Sequence, residues 1–169
     1  MKVLKFGGTS VATADAIKKT TAIVKDKSSR HDVICVVSAL GDVTNKLIEA
    51  SKLAEKGDES YQEIVRHLED RHFIAIRELL SIDKQSSLIA NVKVMFNQLE
   101  DILNGVFLIR ELTNKTSDFI VGFGEQLSSV IIATFMEAEL LDSKDLIKTN
   151  RNFGNAAVTE LAVEHTQAD

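Results

Sequence analysis

Val3-Leu4-Lys5-Phe6-Gly7-Gly8-Thr9-Ser10 opens the chain, and the reading of this stretch decides the fold. Val3, Leu4 and Phe6 make an apolar run short enough to be a buried central strand. Two glycines and two hydroxyl residues then end it. Lysine is seldom buried without a partner, so Lys5 is expected to send its ammonium out of the strand's carboxyl end, the edge where open α/β sheets bind ligands.

Gly7 and Gly8 free the backbone for φ > 0 and for close approach to a ligand. Thr9 and Ser10 can cap a helix beginning near residues 11–14, whose first amides lack intrahelical partners and favour an anion. A lysine, a nest of amides and a helix end converge, which reads as the phosphate end of a small-molecule kinase. Facing a transferring phosphoryl at ~4 Å, Lys5 would contribute roughly 4 kcal/mol at an effective dielectric near 20. An ordinary strand–turn–helix with an exposed lysine meets the same pattern.

The next elements make this a βαβ unit. Residues 15–27 form a helical pattern with Ile17, Thr20 or Thr21, and Val24 inward and lysines outward. Val33-Ile34-Cys35-Val36-Val37 is a continuous apolar run, the pattern of a parallel strand covered on both faces, joined to the first by a right-handed crossover. It ends in Ser38-Ala39-Leu40-Gly41-Asp42-Val43-Thr44-Asn45. Parallel neighbours place both carboxyl ends side by side, so Ser38 and Thr44 are candidates to line one crevice with Lys5 and Gly8. Thr44 or Asn45 can equally cap the next helix.

Three long helical patterns follow. Residues 44–56 carry Leu47, Ile48, Ser51 and Ala54 inward and close at Gly57. Ser60-x-x-Glu63 reads as a capping box before a stripe of Tyr61, Ile64, Val65, Leu68, His72, Ala75 and Leu79. Leu88, Val92, Met95, Leu99, Ile102 and Val106 form a coiled-coil-like seam, widened by Phe96, Leu103 and Phe107. An antiparallel hairpin of these two helices is favoured over a dimer contact. His67 and His72, five apart with no cysteine nearby, do not share a face as a zinc pair would.

Ser117-Asp118 reads as the cap of a last long helix, with Ile120, Phe123, Leu127, Val130, Ile131, Thr134 and Ala138 at helical spacing through Glu139. Gly122 and Gly124 interrupt it at a cost of about 1 kcal/mol each, so a backbone or ligand is expected to pass close. Glu125 beside them is placed either to meet a substrate ammonium or lysine, or to face solvent. Residues 145–148 read as a short strand, followed by a loop and a mixed stretch to Asp169.

The composition is that of an ordinary globular domain, 44% hydrophobic and 27% charged over 169 residues. A net charge of −5 argues against a general nucleic-acid binder, the lysines of the first helix notwithstanding. No apolar run reaches the ~20 residues of a membrane span and no signal-peptide pattern precedes the first strand, so a cytoplasmic protein without a membrane partner is expected. The single cysteine, Cys35, reads as a buried inert thiol.

Lys5-Phe6-Gly7-Gly8-Thr9-Ser10-Val11-Ala12 resembles the opening signature of the aspartate kinases, within the amino-acid kinase superfamily. Residues 36–45, Gly124-Glu125-Gln126-Leu127-Ser128 and residues 146–156 extend the resemblance, in order, over the whole chain. It implies an α/β fold, the N-terminal lobe of an αβα three-layer sandwich with a mostly parallel sheet and a long helical insertion. It further implies transfer of the ATP γ-phosphoryl to the β-carboxylate of L-aspartate, a step of lysine, threonine and methionine biosynthesis. In that reading Lys5 balances charge on the phosphoryl, with Gly7, Gly8, Ser10 and Ser38 around it. Thr44 and Glu125 hold L-aspartate, Glu125 at its ammonium, and Mg²⁺ accompanies ATP.

Some residues depart from the family pattern. Asp42 stands where a second glycine is usual after Gly41, Gly122 where a small hydroxyl residue is, and Gln126 where a basic or apolar one is. The family's Gly-Arg-Gly-Gly-Ser-Asp-like segment, nucleotide pocket and regulatory ACT domains would lie beyond Asp169. The resemblance therefore implies that residues 1–169 are an incomplete N-terminal lobe, inactive alone, of a homo-oligomeric enzyme. The segment from Gly105 to Leu112 also resembles enzymes fused to homoserine dehydrogenase. Two other readings compete: a relative acting on glutamate, acetylglutamate or a nucleotide, and a non-catalytic interaction module built on the helical hairpin.

Overall fold

A computed structural model describes residues 1–159. Strand β1 (Lys2–Phe6) and strand β2 (Val33–Val37) pair in parallel, with Leu4 opposite Cys35 and Lys5 opposite Val36. Between them run a 3-10 turn (Gly8–Val11) and helix α1 (Ala14–Ser28). The βαβ unit read from the sequence is therefore present. Helices α2 (Val43–Lys56), α3 (Tyr61–Leu79), α4 (Ile82–Ile109) and α5 (Asn114–Met136) form the bulk of the core, and a single turn, α6 (Ser143–Leu146), follows.

The sheet differs from the expectation that it is covered on both faces. Phe6 and Val37 pack against the helical core, whereas Val3, Ile34 and Val36 are 61%, 39% and 41% exposed. Among the described residues one helical layer covers one sheet face. Lys5 is exposed because it shares the open face with Val3 and Val36, and Cys35 is half-buried rather than enclosed, its thiol pKa raised by burial.

The helical hairpin forms within the chain. Helices α3 and α4 are joined by Leu80 and Ser81 and run antiparallel: Tyr61 meets Phe107 at 5.7 Å between ring centroids, and His72 meets Phe96 edge-on at 5.3 Å. Lys93 closes on Glu69 at 2.6 Å. The seam shifts slightly, with Phe96 and Leu103 fully buried and Met95 and Ile102 only half so. α4 meets α2, α3 and α5, and a three-sided environment selects a wider stripe than a two-helix seam. α5 is apolar enough over 23 residues to cross a membrane by length and composition, which the sequence reading missed; here Ile120, Phe123, Leu127, Ile131 and Ile132 are buried in the helical core.

The expected caps move. Thr13, not Thr9 or Ser10, caps α1, its hydroxyl accepting from the Ala16 amide. Asp42, not Thr44 or Asn45, precedes α2, and Asn45 donates to its carboxylate at 2.9 Å. Ser60 has helical dihedrals and makes no capping-box bond; the Asp58 carboxylate accepts from its amide instead. Thr113 caps α5, leaving Asp118 to accept from the Gly154 amide at 2.7 Å. α5 ends at Met136 because Glu137 turns left-handed at φ 54. The strand expected at 145–148 is replaced by the turn of α6, and extended pairing is limited to a bridge between Thr149 and Val158. The stretch from residue 160 to Asp169 lies outside the described residues.

Gly124 and Gly122 answer differently to the expectation of a close approach. A Cβ on Gly124 would stand 2.9 Å from the Cβ of Ala39 and 3.4 Å from Val43, so only glycine lets α5 lie this close to the loop after β2. Gly122 faces only the Gln126 amide at 3.6 Å. Gly124→Leu should therefore lower stability by roughly 1–3 kcal/mol through overpacking, while Gly122→Ala should raise it by about 0.5–1 kcal/mol through helix propensity, both read from urea unfolding midpoints.

His72 supplies a second test. It is fully buried; its Nδ1–H donates to the Leu68 carbonyl at 2.6 Å, and its Nε2 has no partner. Burial lowers its pKa from 6.5 to about 4. The unfolded chain takes up the proton near pH 6.5 and the folded chain near 4, so the neutral ring's contribution is fully present above 6.5 and lost as pH falls through that window. The difference corresponds to about 3 kcal/mol at its limit. Unfolding free energies measured at pH 7 and 4.5 should differ less in His72→Leu than in the parent; an equal pH dependence in both would refute the assignment.

Candidate functional site

The carboxyl ends of β1 and β2 carry the two turns that build the site. After Phe6 the chain enters the 3-10 turn, in which the Ser10 amide donates to the Gly7 carbonyl at 2.9 Å and the Ser10 carbonyl accepts from the Thr20 hydroxyl at 2.7 Å. This fixes the turn to the middle of α1. Gly7 has an extended backbone at φ −78, and among the described glycines only Gly57 and Gly154 have positive φ. Glycine is therefore used here for space rather than for a left-handed bend. Nothing lies within 4 Å of a Cβ built on Gly7, and one on Gly8 would stand 3.4 Å from the Ala39 carbonyl oxygen.

The loop from Ser38 to Asp42 lies against this turn. The Ser38 amide donates to the Phe6 carbonyl at 3.1 Å, extending the strand pairing by one bond. A Cβ on Gly41 would stand 2.8 Å from that of Ala12, so the two turns touch there. Asp42 follows at φ 66. That left-handed backbone is one glycine adopts freely, and aspartate is among the residues that tolerate it.

Helix α5 closes the third side. The Glu125 carboxylate accepts from the Ala39 amide at 3.5 Å, and the Ser128 hydroxyl donates to the Ser38 carbonyl at 2.8 Å. Both side chains lie on the turn of α5 that Gly124 brings close. Glu125 is half-buried and faces the loop rather than open solvent. Thr44 lies half-buried in the first turn of α2 and Lys5 stands exposed one residue before the end of β1.

The structure thus brings Gly7, Gly8, Ser10, Ser38 and Glu125 to one corner through direct contacts of their segments. Lys5 and Thr44 border it by chain position, and among the described residues no side-chain hydrogen bond joins either to the others. Ser128 was not singled out from the sequence, although it stands one helical turn after Glu125 in the quoted motif. Arg71, whose Nη2 donates to the Ala12 carbonyl at 3.0 Å, carried no sequence signal, since 59 residues separate the partners. No group of three His, Cys, Asp or Glu side chains among the described residues converges as a metal site would.

Curated relatives share this stretch. The chain is 32% identical over 151 residues to the bifunctional aspartokinase/homoserine dehydrogenase 1, chloroplastic, of Arabidopsis thaliana, covering 86% of this chain and 16% of that protein. It is 33% identical over 134 residues to aspartokinase 1, chloroplastic, of the same plant, covering 79% and 23%. Escherichia coli aspartokinase III, solved with aspartate and ADP, superposes with a TM-score of 0.84 at 23% identity over 96% of this chain and 36% of its own. Its complex with lysine and aspartate gives 0.85 at 22% identity over 99% and 37%. The chain therefore spans under a quarter of the length of these curated relatives, and the two solved structures share its fold. The profile of the amino acid kinase family matches residues 1–168, and the chain belongs to that family.

Proposed function

We propose that the corner formed by the two turns and α5 is the acceptor side of an aspartate kinase, which transfers the ATP γ-phosphoryl to the β-carboxylate of L-aspartate. The carrying observation is Glu125. A half-buried carboxylate held against the Ala39 amide, at the carboxyl ends of two parallel strands, is a fixed negative charge awaiting a cation. The α-ammonium of L-aspartate supplies it, with the Thr44 hydroxyl as a second contact. The aspartokinase names of the relatives and the aspartate and ADP in the solved relative support the choice of substrate.

The phosphoryl side belongs to the other strand end. The open space at Gly7 admits a phosphate without side-chain collision, and Gly8, Ser10 and Ser38 line its approach. Lys5 offsets the charge of the transferring group, an electrostatic contribution of the kind that dominates phosphoryl transfer. Its exposure makes that contribution smaller than for an enclosed lysine until substrate or further chain excludes water. Mg²⁺ accompanies the nucleotide, held chiefly by its phosphates. In this reading residues 1–169 form the acceptor lobe of a cytoplasmic, homo-oligomeric enzyme whose nucleotide-base pocket lies in further chain.

Calorimetric titration of the chain tests the acceptor site. L-aspartate should bind and L-glutamate should bind more weakly. Glu125→Gln should weaken L-aspartate at least tenfold, the equivalent of losing a charge-assisted hydrogen bond of about 1.5–3 kcal/mol, and Thr44→Val should weaken it less. Equal affinity for the two acids, or undiminished binding by Glu125→Gln, would overturn the assignment.

A further inference from the structure

A second concave site lies between the start of α2 and helix α3. An open cavity of about 210 Å³ is lined by Asp42 and Lys46 of the α2 start and by Ile64, His67, Leu68 and Arg71 of α3. That is well above what a single water needs, and a small organic molecule can enter. Thr44 lies two residues before Lys46 in α2, about 200° around the helix from it, so the cavity and the proposed aspartate site use different faces of α2.

The lining is chemically unbalanced. The Arg71 guanidinium is half-buried and spends one nitrogen on the Ala12 carbonyl at 3.0 Å. Among the described residues no carboxylate lies within ion-pair distance of it. A guanidinium offers five donors in a fork that matches a carboxylate, and a partly desolvated one without an anion is costly. Lys46 lines the same cavity and pairs with Glu49 at 2.7 Å. Asp42 adds a negative group to the same wall, its Oδ1 already accepting from Asn45. Ile64 and Leu68 supply an apolar floor.

A plain anion would gain from Arg71 and Lys46 but meet Asp42. A plain cation would meet Arg71. A ligand with both charges on adjacent atoms satisfies both, and an apolar tail covers Ile64 and Leu68. We propose that this cavity binds a free α-amino acid with an aliphatic side chain, its carboxylate on Arg71 and Lys46 and its ammonium toward Asp42. Because Arg71 also holds the Ala12 carbonyl, where the first turn meets Gly41, occupancy is mechanically linked to the phosphate turn. The inference is independent of which acid the Glu125 corner accepts.

The test is amide chemical-shift titration of the chain with L-leucine, against 4-methylpentanoate, which lacks the ammonium, and 3-methylbutylamine, which lacks the carboxylate. L-leucine should shift amides of residues 42–46 and 64–71, and each analogue should bind at least tenfold more weakly. Arg71→Gln and Asp42→Asn should each weaken L-leucine at least tenfold, and saturating L-aspartate should not displace it. If Arg71→Gln loses the folded spectrum, Lys46→Gln and Asp42→Asn carry the same expectation. Absence of shifts at millimolar L-leucine, equal binding of 4-methylpentanoate, or displacement by L-aspartate would overturn the proposal.

Discussion

The rest of the site depends on the contact between α5 and the loop that follows β2. Gly124 removes the one Cβ that would hold the two apart, and Glu125 and Ser128 then bond the backbone of Ala39 and Ser38. A helix is stiff, so placing three of its residues on Ser38 and Ala39 fixes the start of that loop in position and direction. The first turn is fixed in consequence, because Gly8 packs on Ala39 and Ala12 on Gly41. What looks like a flexible glycine-rich corner is therefore held from three sides by packing and by backbone hydrogen bonds.

Packing and charge divide the labour here. The polar residues of the corner are few, and each bonded one, the buried Thr20 and Ser128 and the half-buried Glu125, is tied to backbone rather than to another side chain. Such bonds contribute about 1 kcal/mol each in stability. Their larger effect is to hold Glu125 in one place, where a charge can act on a ligand without first being ordered. The same economy applies to Arg71, which ties α3 to the first turn while leaving most of its donors free.

The parallel strands, α1 and the α3–α4 hairpin were legible in the sequence because each is written locally, the strands as short continuous apolar runs and the helices in a period near 3.6. The corner was legible for another reason: Lys5, Gly7, Gly8, Ser38 and Glu125 are residue types whose presence in apolar patterns needs an explanation. The caps were not legible. Ser10, Thr13, Ser60 and Thr113 offer the same hydroxyl, and which one caps is decided by where tertiary packing starts the helix. The open sheet face was missed because a continuous apolar run such as 33–37 tells how apolar a strand is, not what covers it. Gly124 and Gly122 look alike in sequence and differ only in what lies against them, for Gly124 the Ala39 side chain from 85 residues earlier.

That separation also orders the assembly of the molecule. The α3–α4 hairpin closes across two residues, and its contacts are won at little chain entropy. Bringing residues 125–128 to residues 38–39 closes a loop of 86 to 90 residues, so it is the more expensive event and gains most once the hairpin has shortened the path between them. On that cost the corner is expected to take its shape late, after the α3–α4 hairpin.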